Sequence, residues 1–161
     1  MIVNTTQGAD RIVLDSAGKN TDEAAGVVFV GRISEGREQV NYRQQDGLTI
    51  NSLGGDDSLL VDDTAVITEI NLGRGDDAIV IGTVPTILDQ GNRTPEFPDG
   101  VPVADTANMT SGNSTPLTVN GGAGDDFFEV NHNSSNLFLN GDAGDDTFFY
   151  QHLPGPQEYV R

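Results

Sequence analysis

Apolar and polar positions along this chain repeat in short alternating runs, and the runs recur about every 20 residues. Asp57, Asp77, Asp126 and Asp146 serve as anchors: the first two are 20 apart, the last two are 20 apart, and Asp10 gives a fifth. Two residues after the anchors stand Ile12, Leu59, Ile79, Phe128 and Phe148; four after stand Leu14, Val61, Ile81, Val130 and Tyr150. That spacing of two is the signature of a short strand with one face turned inward. Seven residues before the anchors stand Val3, Ile50, Ile70, Val119 and Leu139, with Leu48, Leu117 and Leu137 two residues earlier in three of the copies. These predict a second strand. Between the strands lies a Gly/Asp turn, and a second turn of about six residues (Asp62 to Ile67, Asn131 to Asn136) closes the unit. No apolar repeat of helical period extends beyond one turn. The pattern predicts an all-β fold: a parallel β-roll or β-helix of about five 20-residue coils, one domain over residues 1–161. Coils stacked at about 4.8 Å would form parallel, in-register sheets.

Two polar columns reinforce the repeat. Gly8, Gly55, Gly75, Gly124 and Gly144 lie two residues before the anchors, where a positive φ or a close backbone approach is expected. Asn4, Asn51, Asn71, Asn120 and Asn140 lie six before, placed to form a hydrogen-bonded ladder of identical side chains.

The intervals Asp10–Asp57 and Asp77–Asp126 are 47 and 49 residues, each one coil plus an insertion. Both insertions, roughly 15–47 and 82–116, fall at the second turn and are expected to leave the stack on the same side. The first reads as a hairpin, with Val27 to Val30 and Gln39 to Tyr42 around Ser34-Glu35-Gly36. The second carries Pro85, Pro95, Pro98, Pro102 and Pro116 and reads as an irregular loop. Val13, Leu60, Val80 and Phe149 make the outer side of the second strand apolar, with Glu129 the exception. A strand apolar on both sides is usually covered on both. The expected cover is the insertions folded back over the sheet; the alternative is a partner, such as a neighbouring copy.

Composition narrows the chemistry. With 25 Asp and Glu against 8 Lys and Arg, the net charge is −17, which disfavours nucleic acid and anionic lipid as partners and favours cations. Cysteine is absent, so neither disulfides nor thiol chemistry is available. No apolar run approaches the roughly 20 residues of a membrane helix. The opening Met1-Ile2-Val3-Asn4 is not expected to be a signal peptide. If the coils stack, the carboxylates of Asp56, Asp57, Asp76, Asp77, Asp125, Asp126, Asp145 and Asp146 share one edge, with Arg74 the only basic residue in those turns. Unit charges about 4.8 Å apart repel by about 0.9 kcal/mol in water and about 3.5 kcal/mol at an effective dielectric of 20. A cation is the natural remedy, and oxygen donors select Ca²⁺ over softer metals. The plain alternative is that these residues are turn formers facing solvent, with no metal.

The fullest copies, Gly121-Gly122-Ala123-Gly124-Asp125-Asp126-Phe127-Phe128-Glu129 and Gly141-Asp142-Ala143-Gly144-Asp145-Asp146-Thr147-Phe148-Phe149, resemble the hemolysin-type (RTX) calcium-binding nonapeptide G-G-x-G-x-D-x-U-x. The copy at Leu72 to Val80 keeps Gly73, Gly75, Asp77 and Ile79; that at Ser52 to Leu60 has its glycine shifted to Gly54; that near Asp10 keeps little. The resemblance implies a β-roll with Ca²⁺ between successive turns, held by backbone carbonyls and by the sixth-position Asp, here Asp57, Asp77, Asp126 and Asp146. Residues placed at the metal by it are Asp56, Asp57, Gly73, Gly75, Asp76, Asp77, Gly122, Gly124, Asp125, Asp126, Asp142, Gly144, Asp145 and Asp146. RTX rolls carry two motifs per 18-residue coil. This chain carries one per 20, so a single calcium column is expected, in a layout closer to the degenerate repeats of giant bacterial surface proteins.

No catalytic constellation emerges. His132 and His152, each six residues after an anchor, read as an exposed pair without a role rather than a transition-metal site. The expected function is a non-enzymatic, calcium-stabilised structural or adhesive module of a large secreted or cell-surface bacterial protein. Its partners would be neighbouring repeats or copies of itself, stacked end to end into fibres. No cap is evident at either end. The competing reading is a module that binds cell-surface glycans or modifies polysaccharides as a lyase or epimerase does. Its only support is the cluster Arg32, Arg37, Arg43 and Tyr42. Ice binding would need a flat threonine array, and the column Ile2, Thr49, Glu69, Thr118, Phe138 is too irregular.

Overall fold

A computed structural model describes residues 1–15, 25–32, 35–43, 46–83 and 110–150. In chain order the strands are β1 (Ile2–Asn4), β2 (Asp10–Asp15), β3 (Ala25–Arg32), β4 (Glu35–Arg43), β5 (Leu48–Asn51) and β6 (Ser58–Val61). They continue as β7 (Thr68–Arg74), β8 (Ala78–Ile81), β9 (Leu117–Ala123), β10 (Phe127–Val130), β11 (Leu137–Ala143) and β12 (Thr147–Tyr150). No helix occurs among the described residues. The strands form two sheets, in the orders β1-β5-β7-β9-β11 and β12-β10-β8-β6-β2-β3-β4.

Each 20-residue unit gives one strand to each sheet, and its equivalents pair in parallel without slippage. In the first sheet Val3, Ile50, Ile70, Val119 and Leu139 align in turn. In the second, Ile12, Leu59, Ile79, Phe128 and Phe148 do so. The register holds across both long insertions. A one-residue slip would turn every inward side chain outward, so the alternating pattern itself fixes the pairing. Inward residues of both sheets join in one core containing Ile12, Ile50, Leu59, Ile70, Ile79, Leu117 and Phe128, each fully buried.

The first insertion forms the expected hairpin, but β3 pairs antiparallel with β2 in the plane of the second sheet, and β4 pairs with β3. The hairpin therefore extends a sheet edge, whereas the sequence predicted a cover over the outer face. The unpaired edge of β2 explains this, because a strand with free N–H and C=O groups is a ready template for another. Tyr42, at the end of β4, is buried in the main core. The outer residues Val13, Leu60 and Val80 form a small buried cluster of their own.

The second insertion is shorter than its expected bounds. Gly82 and Thr83 leave the stack and Thr110 re-enters it, its amide donating to the Gly82 carbonyl at 3.1 Å. Asn113 bridges Asn133 one coil on, so 111–116 are the second turn of their coil rather than insertion. The proline-rich stretch 84–109 lies outside the described residues, and so does the expectation that it folds over the outer face.

Candidate functional site

The Gly/Asp edge is built by the ends of β7, β9 and β11. These strands run through the first half of each motif, to Arg74, Ala123 and Ala143, so the turn proper is shorter than the sequence suggests. The chain then reverses at the repeated glycine. Gly75, Gly124 and Gly144 have φ of 126°, 139° and 146°. A Cβ on any of them would strike the carbonyl oxygen of the equivalent glycine one coil earlier: Gly55, Gly75 and Gly124 respectively. Positive φ and close approach thus act together at this column. Gly8 needs neither: nothing comes nearer than 4.0 Å to a Cβ there.

Four residues before the anchor the backbone is also left-handed. Gly73 and Gly122 fill the position in two copies, but Leu53 (φ 73°) and Asp142 (φ 70°) fill it in two others. The shifted Gly54 of the degenerate copy does not relieve Leu53.

The paired aspartates do different work. The second of each pair lies inside: Asp57, Asp77 and Asp126 are each 1% exposed. Their Oδ1 atoms accept from the amide of the equivalent residue one coil earlier: Asp10 N to Asp57 (2.7 Å), Asp57 N to Asp77 (2.7 Å), Asp77 N to Asp126 (2.9 Å) and Asp126 N to Asp146 (3.0 Å). The first of each pair is exposed, and its bonds run the other way. Asp76 N donates to Asp56 Oδ1 (3.0 Å), Asp125 N to Asp76 (2.9 Å) and Asp145 N to Asp125 (2.9 Å). Two antiparallel ladders of carboxylate–amide bonds therefore stitch successive turns. Hydrogen bonds to a charged group are worth about 1.5–3 kcal/mol each.

The inner ladder is half satisfied. Oδ2 of Asp57, Asp77 and Asp126 is buried with no hydrogen-bond partner. Burial, joined by the charges of neighbouring aspartates, overcomes the stabilising amide bonds and pushes these carboxyls up, Asp57 to about 7, Asp77 to about 8 and Asp126 to about 6. Each Oδ2 calls for a proton or a cation. Next to this edge the asparagine column forms the expected ladder, each Nδ2 donating to the Oδ1 one coil earlier, from Asn140 down to Asn4, at 2.6–2.9 Å.

The structure thus brings Asp57, Asp77, Asp126 and Asp146 into one column and Asp56, Asp76, Asp125 and Asp145 into another beside it. Asp142 is exposed on β11 and belongs to neither. Among the described residues no group of three or more His, Asp or Glu side chains is placed to hold a metal. A cation between two coils would therefore have one or two carboxylates and would depend on backbone carbonyls or water for its remaining ligands. The donors are all oxygens, which suits calcium. Of the histidines, His132 is exposed, with Nδ1 2.7 Å from the Ser111 carbonyl, and His152 lies outside the described residues.

Sequence reasoning missed the opposite edge. There Asp63 accepts from the amide of Thr64 and from the amide and hydroxyl of Ser114, while Thr64 Oγ1 donates to Asn113 and lies 2.7 Å from Thr115 Oγ1. This polar network ties the second turn of one coil to the next, and it spans an insertion whose return the sequence placed near 116 instead of at Thr110. Against known proteins, the chain matches no family model, no curated protein and no solved structure.

Proposed function

We propose that the chain is a β-roll whose acidic edge is closed by calcium, and that it serves as a structural or adhesive module of a large secreted or cell-surface bacterial protein. The observation that carries this reading is the row of buried, unpartnered Oδ2 atoms at Asp57, Asp77 and Asp126. Ions between successive turns would neutralise that column, with Asp57, Asp77, Asp126 and Asp146 as carboxylate donors. Gly75, Gly124 and Gly144 let the turns approach closely enough for their carbonyls to contribute. Weak sites, roughly 10⁻⁴ to 10⁻³ M, suffice outside cells. Metal binding would then be coupled to closure of the stack.

A second reading rests on the amide bonds already made by every inner Oδ1. A carboxyl with one oxygen accepting and the other protonated would serve as a neutral cap for the turn, with no metal. Far-UV circular dichroism in EGTA followed by calcium titration separates the two. The calcium reading predicts a gain of strand signal or of thermal midpoint at millimolar calcium that magnesium does not reproduce. Identical spectra and midpoints with and without calcium would leave only the neutral-cap reading. The glycan-modifying alternative loses one of its four residues, since Tyr42 is committed to the core.

A further inference from the structure

We infer that the three junctions of the inner column take up calcium unequally, and that the junction between Asp126 and Asp146 fills first. The inference rests on the calcium reading above and adds to it which turns of this chain bind most tightly, and why.

What separates the junctions is the residue five before each anchor: Ser52 for Asp57, Leu72 for Asp77, Gly121 for Asp126 and Gly141 for Asp146. The last three stack in one column, because the residues on either side of them align from coil to coil. Gly121 has no Cβ, and two oxygens use the space. A Cβ there would strike Oδ2 of Asp126 and would lie 2.6 Å from the carbonyl oxygen of Gly141. Unlike Gly122 and Gly124, Gly121 is not left-handed, so the space, and not conformational freedom, accounts for glycine at this position. An orphaned, buried carboxylate oxygen of one turn thus converges with a backbone carbonyl of the next. Calcium is bound by six to eight such oxygens at about 2.3–2.6 Å.

At the Asp77 turn the same position holds Leu72, fully buried in the main core. Its Cβ takes the point on which the oxygens converge one coil later. Its apolar end offers no ligand and excludes the water that could complete a coordination shell. At the Asp57 turn Ser52, also fully buried, fills the position. Asp10 is closed by protein donors instead: its Oδ2 accepts from the amide of Thr6 at 2.8 Å and from its hydroxyl at 2.7 Å. The stack therefore grades from a turn satisfied by a threonine to a junction lined by oxygens. Ligand number and site rigidity set calcium affinity, and a difference of about tenfold between the first junction and the other two is expected. All three still fill at several millimolar.

Amide NMR of the nitrogen-15-labelled chain during a calcium titration tests this, because each junction has its own reporter. Asp57 N, Asp77 N and Asp126 N each donate across a different one. The expected result is that the Asp126 signal completes its change at about one-tenth of the calcium needed for Asp57 and Asp77. Gly121→Ala, whose methyl would displace both oxygens, should move the Asp126 change up to the calcium range of the others and leave Asp57 as it was. If that variant does not fold, Leu72→Ala takes its place and should draw the Asp77 change down towards that of Asp126. All three signals changing together, Asp57 or Asp77 changing first, or an order indifferent to the folded variant would each overturn this inference alone. No change at any junction at several millimolar calcium would overturn the calcium reading, and this inference with it.

Discussion

Replacing Asp77 with asparagine removes the most strongly perturbed carboxyl of the inner column while keeping its shape. The Oδ1 that accepts from Asp57 N survives, and an amide nitrogen takes the place of the unpartnered Oδ2. In the metal-free protein the carboxyl rises from 3.8 to about 8, burial being the chief cause. A group whose folded value is raised gives its full stability below the unfolded value and loses it as pH climbs towards the folded one. For Asp77 that window runs from 3.8 to about 8. At pH 7 the loss reaches about 4 kcal/mol, at about 1.4 kcal/mol per pH unit. Asparagine avoids this loss, but its buried N–H₂ lacks an acceptor, at a cost of about 1–3 kcal/mol. The net expectation in EGTA is that Asp77→Asn is more stable than wild type by about 2 kcal/mol at pH 7, and less stable by a similar amount near pH 4. Urea unfolding at unit pH steps in EGTA reads the difference directly. A difference that does not change with pH would refute the burial argument. On the calcium reading proposed above, the sign at pH 7 should reverse in saturating calcium, because the variant would lack a carboxylate donor.

Gly124→Ala should destabilise the protein by at least about 2–4 kcal/mol, since it combines φ of 139° with a clash against Gly75, whereas Gly8→Ala should stay within about 0.5 kcal/mol; chemical denaturation of the pair checks both. Leu53→Gly should raise the melting temperature, because it relieves about 1–2 kcal/mol of left-handed strain at an exposed side chain. Asn71→Ala, which breaks ladder bonds on both sides, should cost about 1–2 kcal/mol, and Asn140→Ala, which breaks only the bond to Asn120, about half as much by the same assay. Glu129, buried on the outer face with its carboxyl raised by that burial, should give a more stable protein as Glu129→Leu, by a margin that widens as pH rises above the ordinary carboxylate range.

Strand columns, register and the asparagine ladder were legible in the sequence because identical residues at fixed spacing leave an in-register parallel pairing only one way to bury the apolar set. The glycine column was legible for the same reason, since at Gly75, Gly124 and Gly144 a Cβ would strike the carbonyl of the coil before, although Gly8 shares the column without that need. The doubled Asp-Asp pairs were visible, but not their opposite bonding directions, which depend on which carboxylate turns inward. The burial of Tyr42 was hidden because a hairpin's faces are ambiguous until its pairing partner is known, and the exposed edge of β2 decided that pairing. The return of the second insertion at Thr110 was hidden because 111–116 lacks the apolar anchors that mark strands.

The central claim is that divalent ions lie between successive Gly/Asp turns. Counting bound calcium by flow dialysis at millimolar concentration tests it most directly. Four motif turns make three junctions, Asp57/Asp77, Asp77/Asp126 and Asp126/Asp146, each bridged by an amide–carboxylate bond, so one ion per junction gives about three ions per chain, with fewer in Asp77→Asn. Less than one ion per chain at several millimolar calcium would contradict the account.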